Sequence, residues 1–292
     1  LLRGGVVNRS IGSFILLSSI ALTSVLASLL LPGVMALSTN NSQAQNQPPA
    51  VSQEILWKFI QAGDSLSSNL TKIDAALANA SSALSKTGLQ GPNAQAILLN
   101  LSTVDPAQND CITVGLNGSI LEVEPNEYRY IKGDNISCRE YIKDLFATKR
   151  PVGMAYIKTI EGFHAADFAV PVFDENGCLM GATTILINAT KFLGHVLTPY
   201  QPGNGSKIWV MQPDGFILYE TDASQIGLNA FEDPMIRQFP DLIALVERIS
   251  TDLSGYGTYE FYNDQHTQTV KKGLYWTTIY HQGEPIRLML TV

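Results

Sequence analysis

Charge, cysteine and histidine are all sparse in this 292-residue chain, and each shortage removes a class of function. Charged residues make up 15% of it, and acids outnumber bases by 26 to 19, a net charge of −7. A nucleic-acid binder draws most of its affinity from a basic face, so the acidic balance argues against one. There are four histidines, His164, His195, His266 and His281, and none stands four residues from another. The chain has no Gly-x-Ser-x-Gly, no Gly-rich phosphate loop opening a helix, and no Cys-x-x-Cys. Nothing in the pattern therefore assembles a catalytic set, a metal site or a cofactor site, and the chain reads as a non-enzyme. Glu122 and Glu124 fall beside a turn and read as solvated strand ends.

Long apolar runs are also few. Residues 11–31 are uncharged, follow Arg3 and Arg9, and end at Pro32-Gly33. That length spans a bilayer, with the flanking arginines holding the N-terminus inside. Val34-Met35-Ala36 has the form of a signal-peptidase site, so anchor and cleaved signal both stand as readings of residues 1–36. Either way the rest of the chain is placed outside the cytoplasm, on the membrane surface or secreted. Asn-x-Ser/Thr recurs at Asn40, Asn69, Asn79, Asn100, Asn117, Asn135, Asn188 and Asn204, which fits an exported surface or simply a Ser/Thr/Asn-rich one. The three cysteines, Cys111, Cys138 and Cys178, fit no metal spacing. One disulfide plus one buried thiol, with Cys111–Cys138 as the preferred pair, or three separate buried thiols are the alternatives.

Residues 37–50 are rich in Asn, Gln, Ser and Pro and read as a linker. The pattern then changes. Over residues 51–87, Ile55, Phe59, Ala62, Leu66, Leu70, Ile73, Leu77, Ala80 and Leu84 recur every three or four positions, and Gly88 follows. This predicts one helix of about 55 Å. A rod that long can bury its stripe along two stacked domains; a dimeric coiled coil is the alternative, and with it a homodimer. Residues 92–104 read as a short helix.

Beyond that point the chain repeats itself. Ile112-Thr113-Val114, Asn117-Gly118 and Ile120-Leu121 are echoed by Ile208-Trp209-Val210, Asp214-Gly215 and Ile217-Leu218. Gly133 and Asn135 are likewise echoed by Gly227 and Asn229. The spacing is too long for a solenoid unit and right for a duplicated small domain. Asn117-Gly118 suits a hairpin turn with two positive φ values. In each copy a hairpin is followed by a helix (137–148 and 240–253) and then by three strands. In the first copy these are 153–158, 163–173 and 180–188, with a connecting helix starting at 191–197. In the second they are 258–262, 269–281 and 285–292, after a turn at Gly255-Tyr256-Gly257. The order predicts an α+β fold: a long N-terminal helix and two stacked modules, each a five-stranded antiparallel sheet with helices on one face. Trp209, Tyr219 and Trp276 read as core.

This order of residues resembles the double-Cache family of extracytoplasmic sensor domains, built from PAS-like modules. In the first module the likeness rests on Gly118-Ser119-Ile120-Leu121, Gly133-Asp134-Asn135-Ile136-Ser137, Arg139-Glu140-Tyr141, Pro171-Val172-Phe173-Asp174 and Met180-Gly181. In the second it rests on Trp209-Val210-Met211, Asp214-Gly215, Leu218-Tyr219, Ile226-Gly227-Leu228-Asn229, residues 255–259 and Lys272, and Trp276-Thr277-Thr278. It covers residues 51–292. The resemblance implies a stalk helix at 51–90, a membrane-distal module at 91–198, a short linker at 199–203 and a membrane-proximal module at 204–292. It further implies that the distal module holds a small ligand for signal transduction. In a receptor of this kind a second membrane helix and an output domain follow; the alternative is a stand-alone anchored binding or cell-envelope protein.

Amino-acid sensors of the family carry Arg-x-Trp-Tyr at the start of the distal helix, for the ligand carboxylate, and an Asp in the last strand for the ammonium group. Arg139 and Tyr141 match part of that pattern, and Thr183 and Thr184 stand where the Asp is sought. The expected ligand is therefore a small anionic organic molecule without an amino group. Tyr156, Phe163, Asp167 and Thr184 are expected to line the pocket with Arg139 and Tyr141. Aromatic walls with a few polar tips are the usual make-up of such a site.

Overall fold

The computed structural model describes residues 51–158 and 164–292. The leader, the linker 37–50 and the candidate ligand residue Phe163 lie outside the described residues. No helix among the described residues is long and apolar enough to cross a membrane.

The first helix, α1 (Gln53–Thr87), starts where Ser52 Oγ accepts the N–H of Ile55 at 3.3 Å. It ends where Gly88, at φ 85°, donates to the Leu84 carbonyl. Its periodic stripe from Phe59 to Leu84 is buried. A short helix, α2 (Pro92–Leu101), follows. The first sheet contains β1 (Gln108–Gly115), β2 (Ile120–Glu124), β3 (Val152–Lys158), β4 (His164–Phe173) and β5 (Leu179–Ile187), in the spatial order β2-β1-β5-β4-β3. Helix α3 (Glu140–Thr148) lies between β2 and β3 in sequence, and α4 (Ala189–Leu197) leads to the second module. There β6 (Lys207–Met211), β7 (Ile217–Tyr219), β8 (Ser254–Tyr262), β9 (Thr269–His281) and β10 (Glu284–Thr291) take the same order, β7-β6-β10-β9-β8, with α5 (Pro240–Thr251) between β7 and β8. All neighbouring strands are antiparallel. The sequence expectation of two five-stranded sheets behind a long helix is met.

The duplication extends to individual hydrogen bonds. Asn135 Nδ2 donates to the Asn117 carbonyl, and Asn229 Nδ2 to the Asp214 carbonyl, at 2.9 and 3.0 Å. Ile136 N donates to Gly118 O, and Ala230 N to Gly215 O. Each hairpin is thus pinned to the chain that follows it. The Asn135 side chain makes this lock, Asn117 Oδ1 accepts Ser119 N within the turn, Asn188 Oδ1 caps α4 at Lys191 N and Asn69 Nδ2 donates to the Ser65 carbonyl, so four of the sequon asparagines have local structural roles. The turn itself differs from expectation. Only Gly118 has positive φ (81°), because Asn117 Oδ1 accepts Ser119 N and holds its own residue on the ordinary side.

In the first module the helices flank both faces of the sheet, not one. Tyr141, Ile142 and Leu145 of α3 pack on Ile112, Val114, Ala169 and Ala182 in front. Leu84 of α1 and Ala94 of α2 pack on Val172 behind. Helix α1 lies mainly on β4, β5, α2 and α4, and meets the second module at β9. In the second module α5 covers Trp209, Met211, Trp276 and Met289, so Trp209 and Trp276 are core, as is Tyr219 on β7.

Three further expectations are corrected. Gly255-Tyr256-Gly257 is not a turn but part of β8, paired with β9. The missing side chains make room for packing: a Cβ on Gly255 would meet the Trp276 ring at 2.3 Å, and one on Gly257 would meet Leu245 Cδ1 at 2.3 Å. Glu122 and Glu124 are not solvated but buried. Glu122 accepts from Gly91 N, Gln95 Nε2 and Lys132 Nζ, and Glu124 pairs with Arg129. The Cys111–Cys138 bridge is absent and all three cysteines are free thiols, of which only Cys111 is buried while Cys138 and Cys178 are exposed. Strand alternation turns Cys111 away from Ile112 and to the rear of the sheet, whereas Cys138 leads into α3 in front.

Candidate functional site

The front face of the first sheet carries an acidic pair at one end. Asp110 on β1 and Asp167 on β4 are both registered against Leu186 of β5, so they share one row of the sheet. Thr184 lies one row further along, opposite Ala169. Each of the three side chains is buried. Tyr141, in the first turn of α3, comes down onto this row and is buried as well.

Asp167 is the unusual member. Burial pushes its carboxyl up to about 7, against the pull of the Tyr141 hydroxyl, the neighbouring Thr184 and the positive charge of Arg139. The Tyr141 hydroxyl is in turn raised well above its ordinary range, by burial first and then by the Asp167 charge. Asp167 Oδ1 has no hydrogen-bond partner among the described residues. Thr184 Oγ1 lies beside the carboxyl but completes no bond of ordinary geometry. Two buried oxygens with unspent capacity at one spot are costly unless something else meets them.

Arg139 stands at the N-terminal edge of α3, half-buried, and caps nothing with its side chain. It and Tyr141 line a cleft of about 780 Å³ at the outer edge of the first sheet. The other wall is the β6–β7 turn, Gln212 to Asp214, with Leu218 and Pro285 of the second module. Tyr141 therefore faces two ways: its body forms cleft wall and its hydroxyl reaches Asp167.

Of the expected site residues, the fold brings together Arg139, Tyr141, Asp167 and Thr184. Tyr156 shares the cleft with Arg139 and Tyr141 but is separated from Asp167 and Thr184. It is registered against Ala166, one residue from Asp167, so alternation sets it on the other face. It packs on Phe216 with ring centroids 4.7 Å apart and joins the cleft wall. The last strand does lack an Asp, as expected, but the acid is supplied by its neighbour. Antiparallel pairing puts Asp167 on the adjacent strand, one row from Thr184. Sequence reasoning missed Asp110. Its signal was available: it precedes Ile112 and Val114 at the same period of two, an acid in an apolar row.

Residues 68–189 match the sensor-domain family described as HK/GC/Chemotaxis protein-like. No curated protein gives a significant match. Solved structures do. An extracellular ligand binding receptor from Desulfohalobium retbaense superimposes with a TM-score of 0.69 at 30% identity, over 82% of this chain. This chain spans 40% of that receptor's length. The ligand-binding domain of the Pseudomonas aeruginosa amino acid chemoreceptor PctB gives a TM-score of 0.58 at 12% identity, over 83% of this chain and 90% of that one. The ligand-binding domain of the Pseudomonas fluorescens chemoreceptor CtaA gives 0.58 at 14%, over 79% and 92%.

Proposed function

We propose that the chain is a double-Cache, PAS-like sensor domain that works outside the cytoplasm as a non-catalytic receptor module for a small organic molecule carrying both an acid and an amino group. The observation that carries this reading is Asp167: a carboxylate buried in front of the first sheet, with one oxygen unmet, beneath a tyrosine and an arginine. An isolated buried carboxylate is unfavourable, and a ligand ammonium group would offset its cost. Arg139 would take the ligand carboxylate through two parallel hydrogen bonds. Tyr141 and Thr184 would add hydrogen bonds between the two poles, and Tyr156 would bound the cleft through which the molecule enters. The likeness to domains solved with L-Gln, L-serine and GABA supports the choice, since each of those compounds carries both groups. A purely anionic ligand would leave Asp167 opposed to it.

Occupancy would pass a change of position through β4 and β5 to α1, whose stripe rests on them. The residue roles are tested by a thermal-shift screen of amino acids, simple organic acids and simple amines. Amino acids should raise the melting temperature; at a concentration 100 times Kd the gain is about 2.7 kcal/mol. Arg139→Ala and Asp167→Asn should each remove the shift. A response to simple acids that survives Asp167→Asn would refute the zwitterion reading.

A further inference from the structure

The cleft beside Tyr141 is acidic on both walls. On the α3 side Glu140 and Asp144 stand one helical turn apart. Glu140 is paired with Lys143 at 3.0 Å, which leaves Asp144. The facing wall belongs to the second module. Asp214 lies three residues beyond Met211 of β6, and Glu284 three before Arg287 of β10; Met211 and Arg287 are partners, so the two acids stand at the same end of adjacent strands. Asp144, Asp214 and Glu284 are exposed and form no ion pair among the described residues. Against them the described lining offers one basic group, Arg139.

These acids border a built site. Asp167 Oδ1 and Thr184 Oγ1, buried and unmet, lie behind Tyr141, a member of the same wall. Between the acids the cleft surface is apolar and aromatic, with Val152 and Tyr156 from the first module and Leu218 from the second.

We propose that the ligand is a basic amino acid of the lysine or arginine type, and that its side-chain cation bridges to the second module, between Asp144 and the pair Asp214 and Glu284. This rests on the reading of Arg139 and Asp167 as the poles that hold the ligand's carboxylate and α-ammonium group. With both poles in the first module, the ligand side chain would run along the cleft, its methylenes on Val152, Tyr156 and Leu218. An aromatic face next to carboxylates suits a cation on two counts. Charge balance points the same way. A neutral amino acid matches Arg139 and Asp167 and leaves the rim unmet, whereas one further positive charge offsets it. An acidic side chain would meet like charge on both walls. Of these ligands, the basic one alone gains a charged contact with the second module.

L-Lysine and L-norleucine are the probes, because norleucine keeps the carbon chain of lysine and lacks its terminal cation. Calorimetry on the full chain should give lysine an affinity about fivefold above that of norleucine, the scale of an exposed ion pair. The gap should narrow as sodium chloride is added. The double variant Asp214→Asn, Glu284→Gln should bring lysine down to norleucine and leave norleucine unaltered. The asparagine keeps the oxygen that accepts Phe216 N, so the turn is preserved. Equal affinities in the parent overturn the proposal; if both are then lost in Asp167→Asn, the first-module site stands without it. A lysine preference that survives the double variant overturns the bridge to the second module. Binding of neither probe overturns the proposal together with the reading it rests on.

Discussion

His281, the last residue of β9, places its Nε2 2.9 Å from Oδ1 of Asp74 on α1, and 207 residues of sequence separate the two. The imidazole is buried, and its ring centre lies 5.3 Å from that of Phe168 on β4. Gly153 on β3 passes directly over it, and a Cβ there would come within 2.3 Å of His281 Nδ1. One side chain of the second module thus touches α1 and the strands β3 and β4 of the first sheet. It links the strands next to the ligand site to the helix that would carry the signal.

Disturbing either neighbour should cost stability through the same imidazole. Gly153→Ala is expected to lose about 1–3 kcal/mol by overpacking. Asp74→Ala should lose about 1–3 kcal/mol by leaving a buried histidine unpaired. The double variant should lose less than the sum, because both changes act on His281. Urea unfolding measures all three, and strict additivity would show that the histidine does not join them.

Asp167 should make the protein less stable as pH rises. Its folded value of about 7 lies above the ordinary 3.8, so between those limits the folded state holds a proton that the unfolded state has released. The contribution is complete below about pH 4 and is lost as pH rises through about 7. Its full extent is about 4 kcal/mol, at roughly 1.4 kcal/mol per pH unit. Asp167→Asn cannot titrate, so the variant should gain on the parent from about pH 4 to about pH 7 and hold that gain above it. Parallel stability curves for the two proteins would contradict the assignment.

Ligand affinity should run the other way with pH. An ammonium group prefers the ionised Asp167, so affinity should climb by up to about tenfold per pH unit below 7 and level off above it. Calorimetry of a bound amino acid at pH 5, 6, 7 and 8 would show the curve, together with proton release at pH 6. An affinity independent of pH would mean that Asp167 does not meet the amine.

The hairpin lock predicts an asymmetry between two glycines. Gly118 and Gly133 both have positive φ, 81° and 95°. A Cβ on Gly118 would strike Ser137 Cβ at 2.4 Å, whereas one on Gly133 would meet nothing within 4 Å. Gly133→Ala should therefore cost about 1 kcal/mol, from backbone strain alone. Gly118→Ala should cost about 2–4 kcal/mol, as the collision adds to it. Equal melting temperatures for the two variants would mean that the Asn135 lock does not constrain the turn.

Local periodicity was enough to determine the elements. The stripe from Phe59 to Leu84 specifies α1 because a 3.6-residue repeat faces one side of a helix whatever it packs on. The duplicated Gly118 and Gly215 hairpins specify two like modules for the same reason: turn chemistry is local. Tertiary structure decided whatever depends on a neighbour from elsewhere in the chain. Gly255 and Gly257 read as a turn because nothing nearby announces that Trp276 and Leu245 need the space. Glu122 reads as solvated because Gly91, Gln95 and Lys132 are invisible as partners until α2 docks. The site divides along the same line. Arg139 and Tyr141 were legible as the head of a helix. That Asp167 would stand one row from Thr184, be buried, and keep an oxygen unmet follows from strand register and from the weight of protein over the sheet, neither of which is written in the residues around it.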